Sequence, residues 1–179
     1  QIKEQAEKSG LSTVVSETQT AENTGEVLSV TDQGITISLV QTIVDNYRAE
    51  LTFRIQGFEL PEGRYPAVWP VVTLDGSDEN FFSSCSGSFF DGTTHNAQGK
   101  RVYTDGTPVQ KDADGSVIPR YADSDGSLEY TEYISFQKTD GRYFGKEIQV
   151  TFPDIGLDST QMAVPYHPVV QGNWTLKST

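Results

Sequence analysis

Residues 29–57, SVTDQGITISLVQTIVDNYRAELTFRIQG, decide the fold, because two runs rich in Ile, Val, Leu, Thr and Phe flank the turn-prone pair Asp45-Asn46. The stretch reads as a β-hairpin. In the first arm Ile35, Ile37, Leu39, Gln41 and Ile43 fall on one face, and Thr36, Ser38, Val40, Thr42 and Val44 on the other, as in a strand half-buried in a sheet. In the second arm Leu51, Phe53 and Ile55 alternate with Glu50, Thr52, Arg54 and Gln56 in the same period of two.

Working outward, the chain keeps this character from residue 26 to its end. Short apolar runs are punctuated by Asp-Gly pairs at 75-76, 91-92, 105-106, 114-115, 125-126 and 140-141. Asp-Gly supplies the positive backbone dihedrals that tight turns need. Strands are expected at 27–30, 35–44, 48–56, 67–74, 81–90, 128–137, 146–152 and 173–177, with no amphipathic helix after residue 25. The fold class is therefore all-β: an antiparallel, immunoglobulin-like β-sandwich with a long inserted loop or hairpin. That insertion is the polar, Gly-rich excursion at 92–127, with Tyr103 and Tyr121 as its large apolar anchors. Trp69 and Trp174 are the expected core anchors. On the strand that starts at Leu128, Tyr130, Ile134 and Phe136 share one face and Tyr133 takes the other.

Residues 1–25, QIKEQAEKSGLSTVVSETQTAENTG, are polar except for Val14-Val15 and read as a linker or stalk. Residues 26–179 form a single domain, a length that buries about 70% of the extended-chain surface. The chain starts at Gln1 and has Met162 as its only methionine, so the numbering is expected to begin inside a longer protein. No run of 18 apolar residues offers a membrane span.

The formal charge of −12 repels phosphate backbones and anionic lipid surfaces, and Lys100-Arg101 is the only adjacent basic pair, so nucleic acid is not an expected partner. The single cysteine, Cys85, excludes an intramolecular disulfide and reads as a small buried residue.

Three constellations bear on chemistry. Asp112, Asp114, Asp123, Asp125 and Glu129 form an oxygen-rich candidate set for calcium, although Gly115 breaks the EF-hand ligand series and turn-forming aspartates account for the same residues. A hydrolase would need Cys85, a histidine and a carboxylate to converge, yet His95 sits in a loop stretch and His167 in the irregular run Pro165-Tyr166-His167-Pro168, with no nucleophile elbow or Walker loop. Exposed tyrosines and tryptophans offer platforms for glycan or peptide, against the plainer reading that they pack the sandwich. Asn173-Trp174-Thr175 matches a glycosylation sequon inside an expected strand.

The segment Thr31-Asp32-Gln33-Gly34-Ile35-Thr36-Ile37-Ser38-Leu39, followed by Ile43-Val44-Asp45-Asn46-Tyr47-Arg48 and Leu51-Thr52-Phe53, resembles the opening hairpin of domain of unknown function family 4179. The late Gly172-Asn173-Trp174-Thr175-Leu176 is similar to that family's closing Gly-x-Trp strand. The resemblance covers about a third of the chain and leaves the middle unanchored. It implies an extracytoplasmic sensory or regulatory domain of an anti-sigma-factor-like membrane protein of Gram-positive bacteria, non-enzymatic, anchored by a helix upstream of this sequence. Its partner is then a protein or small ligand outside the cell. The other reading is a secreted or cell-wall-associated module that binds glycan or peptide.

Removing residues 1–22 is expected to leave the melting temperature of the domain nearly unchanged in calorimetry, since a polar leader has little apolar area to bury. A loss of many degrees makes the leader a strand of the sandwich.

Overall fold

A computed structural model of the chain describes residues 28–78, 80–158 and 167–179. The proposed linker at 1–25 lies outside the described residues, as do Met162 and the Pro165-Tyr166 pair. No described helix is long and apolar enough to cross a membrane.

The described residues form eleven strands: β1 Leu28–Asp32, β2 Ile35–Val44, β3 Arg48–Gln56, β4 Tyr65–Ala67, β5 Val71–Leu74, β6 Phe82–Phe89, β7 Thr93–His95, β8 Arg101–Tyr103, β9 Leu128–Phe136, β10 Ile148–Asp158 and β11 His167–Ser178. One sheet has the order β1-β2-β3-β9-β6; the second runs β11-β10-β4, with β5 also paired to β10. All pairings are antiparallel, and the two sheets pack as the expected β-sandwich. The insertion carries its own small sheet, β7-β8.

The quoted hairpin is β2-β3. Asp45 Oδ1 accepts the N–H groups of Tyr47 (2.7 Å) and Arg48 (2.8 Å), and the Asp45 N–H donates to the Arg48 carbonyl. The turn is thus closed by the Asp side chain as well as by the backbone. A bulge at Val40 corrects the expected faces of β2, because the register slips between Leu39 and Gln41. Beyond it Thr42 and Val44, not Ile43, stand opposite the buried Leu51 and Ala49. One extra residue inverts every later side chain.

The inner faces meet in a core built around rings. Phe152 of β10 lies edge-on to Phe53 of β3 at 5.0 Å and to Tyr130 of β9 at 6.0 Å. Trp174 of β11 is fully buried opposite Phe152, and its indole Nε1 donates to the Ile35 carbonyl of β2 at 2.9 Å, joining one sheet to the other. Room for that ring comes from Gly172, where a Cβ would stand 2.6 Å from the indole. Next to it the Asn173 N–H donates to Asp32 Oδ2 at 2.9 Å, so the β1-β2 turn and β11 close one flank of the sandwich.

Trp69 does not anchor the core: it is 68% exposed. The expected strand 67–74 is two strands, β4 and β5, because Pro70 removes a ladder donor and constrains the residue before it. Val68 is buried in its place. The strands expected at 146–152 and 173–177 are longer than the reading had them. β10 runs on to Asp158 through a register shift at Pro153, and β11 begins at His167, in the run expected to be an irregular surface crossing.

Trp174→Ala is expected to destabilise the domain by about 3–5 kcal/mol in a chemical melt, the usual cost of emptying an aromatic core site. An unchanged midpoint removes Trp174 from the core.

Candidate functional site

The five acidic residues of the calcium reading lie on two successive turns and a strand. Asp112 Oδ1 accepts the N–H groups of Asp114 and Ser116, both at 2.9 Å. Asp125 Oδ1 accepts the Ser127 N–H (2.9 Å) and hydroxyl (2.6 Å), and those hydrogen bonds hold its carboxyl below the usual range. Asp123 bonds the Ser124 N–H and faces Arg54 at 3.9 Å, while Glu129 is exposed on β9. Asp123 and Glu129 do share a recess, and Arg54 and Arg120 supply its cations. Among the described residues no three His, Cys, Asp or Glu side chains are arranged to hold a metal ion.

The excursion is an ordered buttress. Tyr103 is buried, its hydroxyl donates to the Ile118 carbonyl at 2.8 Å and accepts the Gln110 N–H at 3.0 Å, and the Arg120 guanidinium stacks on its ring at 3.6 Å. At Gly92, with φ of +75°, a Cβ would meet the Arg120 carbonyl at 2.2 Å, so the crossing requires glycine. Tyr121 then packs edge-on against Tyr65 of β4 at 5.7 Å.

That ring pair borders the most distinctive site, on the flank of the sandwich opposite Trp174. There the outer strand β6 of one sheet faces β4 and β5 of the other across a cleft of about 1100 Å³. Six aromatic side chains line it, Tyr65, Trp69, Phe82, Phe89, Tyr121 and Tyr130, together with the aliphatic and proline residues of the run 66–72. Its charges are the carboxylates Asp78, Glu132 and Asp158, and no Lys or Arg is among the described lining residues.

Glu132 is the anomaly. It is only 3% exposed and occupies the inward phase of β9, in the run Leu128, Tyr130, Glu132, Ile134, Phe136. An ionised carboxylate at such a position is costly unless hydrogen-bonded. The Tyr130 hydroxyl donates to Oε2 and the Cys85 thiol to Oε1, the latter at 2.9 Å. Both donors are neutral. Burial first, and then the bond to Glu132, pushes the Cys85 thiol and the Tyr130 phenol well above their ordinary values. Gly87, opposite Glu132 on β6, completes the arrangement: a Cβ there would lie 1.9 Å from the Tyr130 hydroxyl and 2.7 Å from Glu132 Oε2. On the cleft wall burial, then Tyr65, Asp91 and Asp158, push the Tyr121 phenol up to about 12.

Cys85 thus meets a carboxylate but no described histidine. His95 is exposed in β7, and the side chain of His167 lies outside the described residues. A thiol kept protonated beside a carboxylate is a poor nucleophile. The sequence reading passed over Glu132. The signal was the alternation itself, which puts an acid in register with four core residues.

No family model and no curated protein matches the chain. The crystal structure of the conserved domain protein from Bacillus anthracis is similar in fold, with a TM-score of 0.48 at 13% identity over 91% of this chain. The match covers 43% of that protein, so this chain spans less than half its length.

The raised thiol sets a sign. Below the unfolded cysteine value, about 8.5, both states are protonated; above it the unfolded chain ionises first, so Cys85 stability is lost as pH rises. At pH 8.5 native Cys85 is expected to react with a disulfide reagent about tenfold or more slowly than in the guanidinium-unfolded chain. Equal rates place the thiol outside the Glu132 contact.

Proposed function

We propose that the domain is a non-enzymatic recognition module acting outside the cytoplasm, the sensory or regulatory part of a membrane-anchored, anti-sigma-factor-like protein, and that it recognises its protein or small-molecule ligand in the lateral cleft. The observation that carries the recognition role is the buried carboxylate of Glu132, which meets no Lys or Arg among the described residues, in an open cleft with aromatic walls. A stable fold gains nothing from that arrangement: an apolar residue in phase with Tyr130 and Ile134 would cost less to bury. Polar groups held at such a cost inside an open cleft fit the anatomy of a ligand site.

The regulatory context rests on the resemblance of the β2-β3 hairpin and of Gly172-Asn173-Trp174 to family 4179. Two features of the described chain agree with it: the acidic surface suits a soluble domain, and the protonated Cys85 offers no thiolate nucleophile. Exposed Trp69 at the cleft mouth also favours the second reading, a secreted or wall-associated module for glycan or peptide. The two readings share the cleft and differ in what lies upstream.

With its native upstream sequence in the source cells, the domain is expected to be shaved from intact cells by added protease. Trp69→Ala and Glu132→Gln are expected to change the same discrete set of transcripts as deletion of the gene. Unchanged transcripts on deletion, with the domain retained on isolated cell wall, sink the regulatory reading in favour of the binding module; loss of neither function on cleft substitution sinks the cleft.

A further inference from the structure

The flank that holds Glu132 ends in a strand with nothing described beside it. β6, FSSCSGSF, pairs only with β9 and has no charge and no proline along its eight residues. Natural sheets guard outer strands with lysines, prolines or covering segments, because unpaired N–H and C=O groups template another strand. Among the described residues no such guard stands on β6, beside a ligand-sized cleft.

The register says which groups are open. The Phe90 N–H donates to the Glu129 carbonyl, so Phe90 and the residues two and four before it, Ser88 and Ser86, turn their backbone bonds toward β9. Cys85, Gly87 and Phe89 turn theirs away from it. Those same three residues stand opposite Ile134, Glu132 and Tyr130, whose side chains point inward. A strand added antiparallel to β6 would therefore place the residues opposite Cys85, Gly87 and Phe89 on the cleft side. The central one lies opposite Gly87, whose missing Cβ lets the Tyr130 hydroxyl and the Glu132 carboxylate come up against the strand at that point.

Resting on the reading of the cleft as the recognition site, we infer that its ligand is an extended peptide that pairs antiparallel with β6 and delivers a lysine or arginine side chain, opposite Gly87, to Glu132. Charge complementarity selects the cation: the cleft carries Asp78, Glu132 and Asp158 and no described basic residue. Its aromatic walls favour an alkylammonium or guanidinium for the same reason. The strand pairing supplies affinity and the buried acid supplies selectivity, the division of labour in strand-addition recognition.

The test uses the synthetic peptide Ac-Val-Thr-Lys-Thr-Val-NH2, with valines and lysine facing inward. The full chain and the chain lacking residues 1–25 are titrated by calorimetry and by amide NMR. Saturable binding with shifts concentrated on Ser84 to Phe89 is expected. Replacing lysine by norleucine, or Glu132 by Gln, is expected to weaken it about tenfold or more, as loss of one partner of a buried charge pair does. In the Glu132→Gln protein the lysine and norleucine peptides are expected to bind alike. N-methylation of the lysine amide is expected to abolish binding and N-methylation of a threonine amide to spare it.

Three outcomes overturn the inference: binding by neither chain, equal binding of the lysine and norleucine peptides to the unsubstituted protein, or butylammonium chloride reproducing the full effect at equal concentration, which leaves a cation pocket without strand addition. If the truncated chain alone binds, the leader competes for β6, and strand addition stands. Should the peptides fail while Trp69→Ala and Glu132→Gln still alter transcripts, the strand-addition inference falls and the recognition reading survives.

Discussion

The bond from the Trp174 indole to the Ile35 carbonyl is the constraint on which the rest of the sandwich depends, because it is a buried directional tie between the two sheets, beside the less buried ones from Asn173 to Asp32 and from Ser178 to Thr42. Apolar contacts such as Phe53 on Phe152 hold the sheets together without specifying how they are turned. A buried indole must find an acceptor, and here the acceptor lies on the facing sheet. With Gly172 leaving room for the ring and Asp32 fastening the Asn173 amide, one flank is shut by β1, β2 and β11. Shutting that flank leaves the opposite one, between β6 and β4-β5, to open as a cleft.

At the open flank the core becomes polar. β9 supplies inward residues to both regions, so its alternation runs from Leu128 through Tyr130 to Ile134 and Phe136 with Glu132 between them. Among the described residues, the donors to that carboxylate are the neutral groups of Tyr130 and Cys85. A glycine facing it on β6 keeps the space that any other residue would fill. Two residue types that weaken a sandwich in isolation, a buried acid and a glycine in a strand, become consistent with each other and with the neighbouring thiol only as one arrangement. Such local departures from good core chemistry are where function is expected to sit.

Much of the fold was legible because strand alternation is a local property. The bounds of β2 and β3 agree with the reading to the residue, and Tyr130, Ile134 and Phe136 face inward with Tyr133 outward. Failures came where one residue reset the pattern. The bulge at Val40 changes phase without changing composition, so Ile43 was given the wrong face; Pro70 split a strand and turned Trp69 outward, though a tryptophan in an apolar run reads as core. The site was legible only in part. Glu132 was visible as an acid in phase with apolar residues, but its partners were not: Cys85 is forty-seven positions away, and the cleft exists only because β6 comes to lie across from β4 and β5.

The long excursion now has a structural role. Its buried Tyr103, with Arg120 stacked on the ring, fixes a small core independent of the sandwich. Arg120 is also tied by its N–H to the Asp91 carbonyl at the start of the excursion, so residue 120 is pinned from two sides. Its neighbour Tyr121 is thereby held against Tyr65, where it forms a wall of the cleft that contains Glu132. A short turn from β6 to β9 would have connected the strands without supplying that wall. The turn aspartates that suggested calcium belong to this framework: Asp112 and Asp125 use an oxygen each to close the turns on either side of Tyr121, which carry the chain out from Tyr103 and back to β9.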